Sequence, residues 1–158
     1  DIYLFPLTGD RKVVPLLERI DDDKHPRVSP DGKWLAFVSN ESGREEVYVR
    51  TLANGGARVP VSTGVGGEPL WAPDGRRLFY RAGARVMAAR IVTAPALAVT
   101  GQDSIFTGSY MTDPWHPNYD VAPDGRGFVM VQPVEENRQL VMVLHWAEEL
   151  KQRLRRGE

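Results

Sequence analysis

Three copies of one short turn constrain this chain more than any other feature. Ser29-Pro30-Asp31-Gly32-Lys33 leads into the apolar run at 34–39. Ala72-Pro73-Asp74-Gly75-Arg76 leads into Arg77-Leu78-Phe79-Tyr80, and Ala122-Pro123-Asp124-Gly125-Arg126 into Gly127-Phe128-Val129-Met130-Val131. In each copy proline presets φ for a type I turn, aspartate can bond its own backbone, and glycine accepts positive φ. The copies stand 43 residues apart, Pro30 to Pro73, and then 50, Pro73 to Pro123. A period of about 40 to 50 residues with several strands in each unit is the spacing of β-propeller blades.

Strand patterns fill in the units. Residues 2–7 and 12–17 read as two strands joined by Thr8-Gly9-Asp10, and Pro15 suits an edge position. They make a half blade at 1–20. A complete blade spans 24–63. It has an inner strand at 25–28, a second at 33–39, a hairpin at 40–44, a third at 46–52, a turn at 54–56 and an outer strand at 58–62. Period-2 alternation at 46–52 predicts one buried face.

The next blade spans 64–108. Its inner strand is 68–71 and its second 76–81, followed by a hairpin at Ala82-Gly83 and a third strand at 85–92. A long loop at 93–102 precedes an outer strand at 104–107. An incomplete blade at 115–145 has strands at 117–121, 127–132 and 139–145, with a hairpin at Glu136-Asn137. Trp146, Leu150 and Leu154 then share one face of a helix at 146–156. Glu148 and Glu149 lie near its start, and arginines and Lys151 near its end. The sum is an all-β chain of about thirteen strands with one C-terminal α-helix: a partial, about three-blade propeller of four-stranded antiparallel blades.

Bulk numbers exclude several classes. In 158 residues, 20 basic side chains balance 21 acidic ones, so the net field points to neither nucleic acid nor a membrane surface. The absence of cysteine removes disulfide scaffolds and thiolate metal sites. No run has the length of a membrane span or the core of a signal peptide. The chain opens at Asp1, already inside a strand pattern, which reads as a piece of a longer or trimmed protein.

The stretch SPDGKWLAFVSNESGREEVYV at 29–49 resembles the TolB-like β-propeller repeat, a relative of the WD repeat, in its turn, strand, hairpin and Tyr-Val strand. The run as a whole also resembles the C-terminal propeller part of bacterial serine/threonine kinases. Their patterns VSTGGGxEPxWSPDG and WxEELKxR correspond to Val61–Gly75 and Trp146–Arg153. The resemblance implies the propeller fold and a bacterial, periplasmic or otherwise extracytoplasmic setting. It does not fix an activity, because this repeat serves proteins with different tasks.

A catalytic constellation is not legible. There is no Gly-x-Ser-x-Gly elbow, and His25, His116 and His145 fall in different units. His25 and His116 both precede a proline before an inner strand. With Asp22 or Asp113 they are conceivable metal ligands, but metal-ligand spacing is absent, and polar residues at a solvated channel mouth is the simpler reading. Asp31-Gly32, Asp74-Gly75 and Asp124-Gly125 recur identically, which marks structural turns, since a site that does chemistry needs different residues in different roles. Gly64-Val65-Gly66-Gly67 precedes a strand rather than a helix and is no phosphate loop. Neither a catalytic activity nor a cofactor or metal is expected.

The loops into the inner strands, 21–25, 64–68 and 111–117, gather at one mouth of a propeller. The last is the least repeat-like, and Trp115, His116 and Tyr119 are residue types that make interface hot spots. Trp115 either stands at that mouth or plugs the channel as core. The candidate binding residues are therefore His25, Glu68, Trp115, His116 and Tyr119. They point to a non-catalytic module that recognises a protein partner or a small ligand. The alternative is a substrate-gating propeller segment of a prolyl-oligopeptidase-type serine peptidase, for which a chain that stops at Glu158 leaves no room downstream for a hydrolase. Open strand edges at both ends suggest a homodimer closing a six-blade ring.

Overall fold

The structure, a computed structural model, describes residues 1–18, 21–53 and 56–133. Twelve strands are present among them, in four antiparallel sheets. Strands β1 (Ile2–Leu4) and β2 (Val14–Leu17) form the first sheet. The second takes β3 (Lys24–Val28), β4 (Trp34–Ser39), β5 (Glu46–Thr51) and β6 (Val59–Pro60), side by side in chain order. The third repeats that order with β7 (Gly67–Trp71), β8 (Arg77–Ala82), β9 (Arg85–Val92) and β10 (Ala98–Thr107). Strands β11 (Tyr119–Val121) and β12 (Phe128–Met130) form the fourth. The expected hairpin at 136–137, the strand at 139–145 and the helix at 146–156 lie outside the described residues, as do positions 54 and 55 of the expected turn.

The three Pro-Asp-Gly turns repeat the same backbone bonds. The N–H of Gly32, Gly75 and Gly125 donates to the carbonyl of Ser29, Ala72 and Ala122 at 2.9, 2.9 and 2.7 Å. Those glycines sit at φ of 71°, 67° and 70°, the left-handed region where a side chain is penalised. Asp31, Asp74 and Asp124 accept the N–H two residues on, from Lys33, Arg76 and Arg126, at 3.1, 2.9 and 3.0 Å. The turns also stack. A Cβ on Gly75 would lie 3.8 Å from Pro30 Cδ, and one on Gly125 the same distance from Pro73 Cδ. The second and third turn glycines thus rest on the preceding turn's proline.

Side-chain alternation explains how the sheets pack. In β4, Leu35 and Phe37 point one way, to Ile2 and Leu17 of the first sheet, with Tyr48 beside them. Ala36 and Val38 point the other way. With Val47, Val49 and Val61 they meet Trp71, Leu78, Tyr80, Ala89 and Ile91 of the third sheet. Phe79 and Ala88, on that sheet's far side, meet Tyr119 and Phe128. The second and third sheets are therefore covered on both faces, which corrects the expectation of a single buried face at 46–52: Glu46 through Arg50 are all buried. A sheet flanked by neighbours buries both sets of an alternating strand. Polar clamps join the sheets as well. Trp71 Nε1 donates to the Arg27 carbonyl at 3.1 Å, Gln102 Nε2 to that of Val61 at 2.6 Å, and Arg50 Nη1 to that of Leu16 at 2.9 Å.

Several boundaries differ from the sequence reading. The strands expected at 2–7, 12–17, 117–121 and 127–132 are shorter, and the hairpin between β8 and β9 turns at Gly83-Ala84. The loop expected at 93–102 ends at residue 97, and β10 runs for ten residues instead of four. Gly101 is the reason. It reads as a turn residue, yet it sits at a bulge opposite β9, with the end of the Arg90 side chain beside it.

Candidate functional site

Strands β3, β7 and β11 enter their sheets from the same rim, and the loops before them converge there. Applying the repeat offsets, 43 and then 50, to His25 leads to Glu68 and then Asn118. At the turns the corresponding residues are identical; here they are a histidine, a glutamate and an asparagine. His25 and Glu68 also share an unusual backbone, with φ of 53° and 50°, each directly before a proline and each within a bulge of its strand. A residue before proline normally stays extended, and left-handed non-glycine residues cost roughly 1–3 kcal/mol each. The surrounding structure holds both in place.

Glu68 is buried, and its Oε2 accepts the Asn118 N–H at 3.0 Å. Burial pushes its carboxyl above the usual range, against the pull of that bond and of Arg81. The Tyr119 hydroxyl donates to the Glu68 carbonyl at 2.7 Å and so fixes the third inner strand to the second. Tyr119 is itself buried, and burial raises its phenol far above the ordinary value. Its role is a strut, and it lines a neighbouring cleft of about 460 Å³ with Arg27 and Asn118.

Asp113 organises the loop before β11. Its Oδ1 accepts the N–H of Trp115 at 2.7 Å and of His116 at 3.0 Å, and stands 3.3 Å from His116 Nδ1. These bonds, the Trp115 N–H first, hold its carboxyl below the usual range. The turn they form projects Trp115 outward at 71% exposure, so it does not plug the channel. The Lys24 ammonium lies 6.0 Å from the Trp115 ring and is paired with Glu45 at 2.5 Å. The loop before β7 is pinned by Glu46, whose Oε1 accepts the Gly64 N–H at 2.6 Å. A side chain at Gly66 would collide with Ser62, whose hydroxyl accepts the Val47 N–H.

Between these loops lies a cleft of about 320 Å³ lined by His25, Glu45, Glu68, Arg81 and Asp113, with Gly66 and Gly67 on its floor. Sequence reasoning named His25 and Glu68 as binding residues and brought Asp113 in only as a conceivable metal ligand. His116 and Trp115 stand on the loop beside the cleft and Tyr119 behind it; none of the three lines it. Asp22 is turned to Asn40, bonding its Oδ1 through the backbone at 2.9 Å. Among the described residues no three His, Asp or Glu side chains converge as metal ligands. Reasoning from sequence missed Arg81, an ordinary basic residue at the end of an apolar strand, and Asn118, which the repeat offset alone would have flagged.

A larger cleft, of about 940 Å³, opens at the opposite rim between Trp34, Arg76, Arg77 and Arg90. Its aspartates, Asp31 and Asp74, are occupied by their own turns.

No protein-family model matches the chain. The Tol-Pal system protein TolB of Alcanivorax borkumensis is 36% identical over 69 residues, 42% of this chain and 16% of that protein. The uncharacterized peptidase YuxL of Bacillus subtilis is 40% identical over 57 residues, 34% of this chain and 8% of that one. The matches thus span less than a fifth of either relative. These relatives lend nothing to the likeness to kinase propellers. The crystal structure of TolB from Acinetobacter baumannii superposes with a TM-score of 0.56 at 18% identity, covering 85% of this chain and 33% of that one. With the repeated turns, the doubly covered sheets and this superposition together, the described residues form a partial TolB-like β-propeller.

Proposed function

We propose that the chain is a non-catalytic recognition module that binds a protein partner or ligand at the rim where the inner strands begin. One observation carries this reading. The repeat keeps the same residues at its turns and changes them at His25, Glu68 and Asn118; the first two line one cleft, and the Asn118 N–H is bonded to Glu68. Exposed Trp115 and His116 beside that cleft supply the aromatic and polar surface that binding hot spots use. Among the described residues no nucleophile–base pair is assembled at this rim, and hydrolysis of an ester, peptide or ATP by the chain is not expected.

The likeness to YuxL supports a second reading, in which the same rim gates substrate for a peptidase domain carried elsewhere. Both readings place binding at the same loops. A displayed peptide library selected against the chain tests them together. Selected peptides should lose at least about tenfold in affinity to Trp115→Ala, a loss of roughly 1.4 kcal/mol. They should keep their affinity for Arg76→Ala at the opposite rim. The reverse pattern would reject the site. The gating reading further requires that selected peptides be cleaved by the partner hydrolase.

A further inference from the structure

Arg81 is the least explained residue of this rim. It is 3% exposed at the end of β8, and its Nη2 donates to the Gly83 carbonyl at 3.3 Å. Its Nε and Nη1 have no hydrogen-bond partner, although both are buried. Buried polar groups are nearly always paired, and an orphaned charged donor is the expensive case. The second residue with unmet nitrogens is His25, whose Nδ1 and Nε2 are both without a partner. Both residues line the 320 Å³ cleft.

The other charged groups of the cleft are supplied. Glu45 takes the Lys24 ammonium, Glu68 takes the Asn118 N–H, and Asp113 takes the backbone donors of Trp115 and His116. What the cleft leaves without a hydrogen-bond partner is therefore nitrogen, two atoms of Arg81 and two of His25, although the Glu68 charge lies near Arg81. Resting on the recognition reading above, we propose that it takes a carboxylate carried on a peptide, with the Arg81 guanidinium as its counter-ion and His25 as a second donor. A carboxylate meets a guanidinium fork with both oxygens, and such charge-assisted bonds are about twice as strong as neutral ones. Burial, with Lys24 and Arg27 nearby, lowers the basicity of His25 and favours the neutral ring, against the opposing pull of the Trp115 backbone and Glu45. Burial likewise weakens the ionisation of Glu68, so the carboxylate closest in kind to the ligand repels it less. The orphaned nitrogens are closed to bulk water, and residues 112–114 wall the cleft that Arg81 and His25 line.

The test uses the 158-residue chain labelled with ¹⁵N. The probe is the capped dipeptide N-acetyl-Gly-Asp-amide, and its asparagine counterpart is the control. The aspartyl probe should move the Arg81 Nε–H resonance saturably, and the asparaginyl probe should bind at least about tenfold more weakly. Arg81→Met should abolish the response at residues 66–68 while the aspartyl probe leaves residues 74–77 unmoved in either protein. If Arg81→Met does not fold, the wild-type resonance carries the result alone. An Arg81 signal unmoved at high probe concentration, as ordered water filling the cleft would give, overturns the proposal. So does equal binding of the asparaginyl probe. Library peptides that depend on Trp115 but contain no carboxylate and ignore Arg81 would remove this inference and leave the recognition reading standing. A probe response at Arg81 without any selectable peptide would do the opposite.

Discussion

At the scale of single residues, the same amino acid does different work according to what surrounds it. Asp31 accepts from its own turn and from the Ser29 hydroxyl at 2.5 Å, and these bonds, the hydroxyl's first, hold its carboxyl below the usual range. Asp31→Ala, Asp74→Ala and Asp124→Ala should each lower the melting temperature by a few degrees and leave peptide binding unchanged, read by calorimetry and titration. A single one that abolished binding at unchanged stability would contradict the structural role. Glu68 behaves in the opposite sense. Its folded carboxyl is raised by burial, so the stability it contributes is present at acid pH and is lost as pH rises through the folded value. Glu68→Gln should therefore raise the melting temperature at pH 7, and the gain should vanish on acidification below the ordinary glutamate range. A gain that is independent of pH would show that ionisation is not the cause. The turn aspartates were legible in sequence because repetition identifies them. Arg81 was not, because its meaning is the absence of a partner, which only packing reveals.

At the scale of elements, β5 and β9 were legible in sequence to within a residue, and so were β4 and β8, which directly follow a Pro-Asp-Gly turn. A fixed turn sets their register, and an apolar run follows. Strand β10 was misread because Gly101 serves a bulge and a close approach to Arg90 rather than a turn, a distinction that depends on the strand alongside. The face of β5 was half-read: its alternation is real, but both sets of side chains are buried, because a sheet lies on each side. Phe37 tests that arrangement. It is fully buried, stacks with Tyr48 at 5.9 Å between centroids, and lies under the Arg58 guanidinium. Phe37→Ala should cost about 3–5 kcal/mol in denaturant unfolding. A cost below about 1 kcal/mol would mean that the first sheet does not cover this face as described.

At the scale of the whole molecule, the first and last described sheets have only two strands each and present apolar side chains. Phe5 is 68% exposed and Leu7 87% at one end, and Val129 is 68% exposed at the other. Edges and patches of this kind invite association. Light scattering on the isolated chain at micromolar concentration should give twice the monomer mass, as two arcs closing one ring require; a stable monomer would exclude that closure. The rim with divergent residues and the rim with repeated turns lie at opposite ends of the same strands; on the proposed function, recognition falls to the first and structure to the second. Hydrogen–deuterium exchange of the chain saturated with a selected peptide separates them most directly. Protection should appear at 64–68 and 111–118 and leave 30–34 and 74–77 unchanged, whereas protection confined to the turn segments would contradict the assignment.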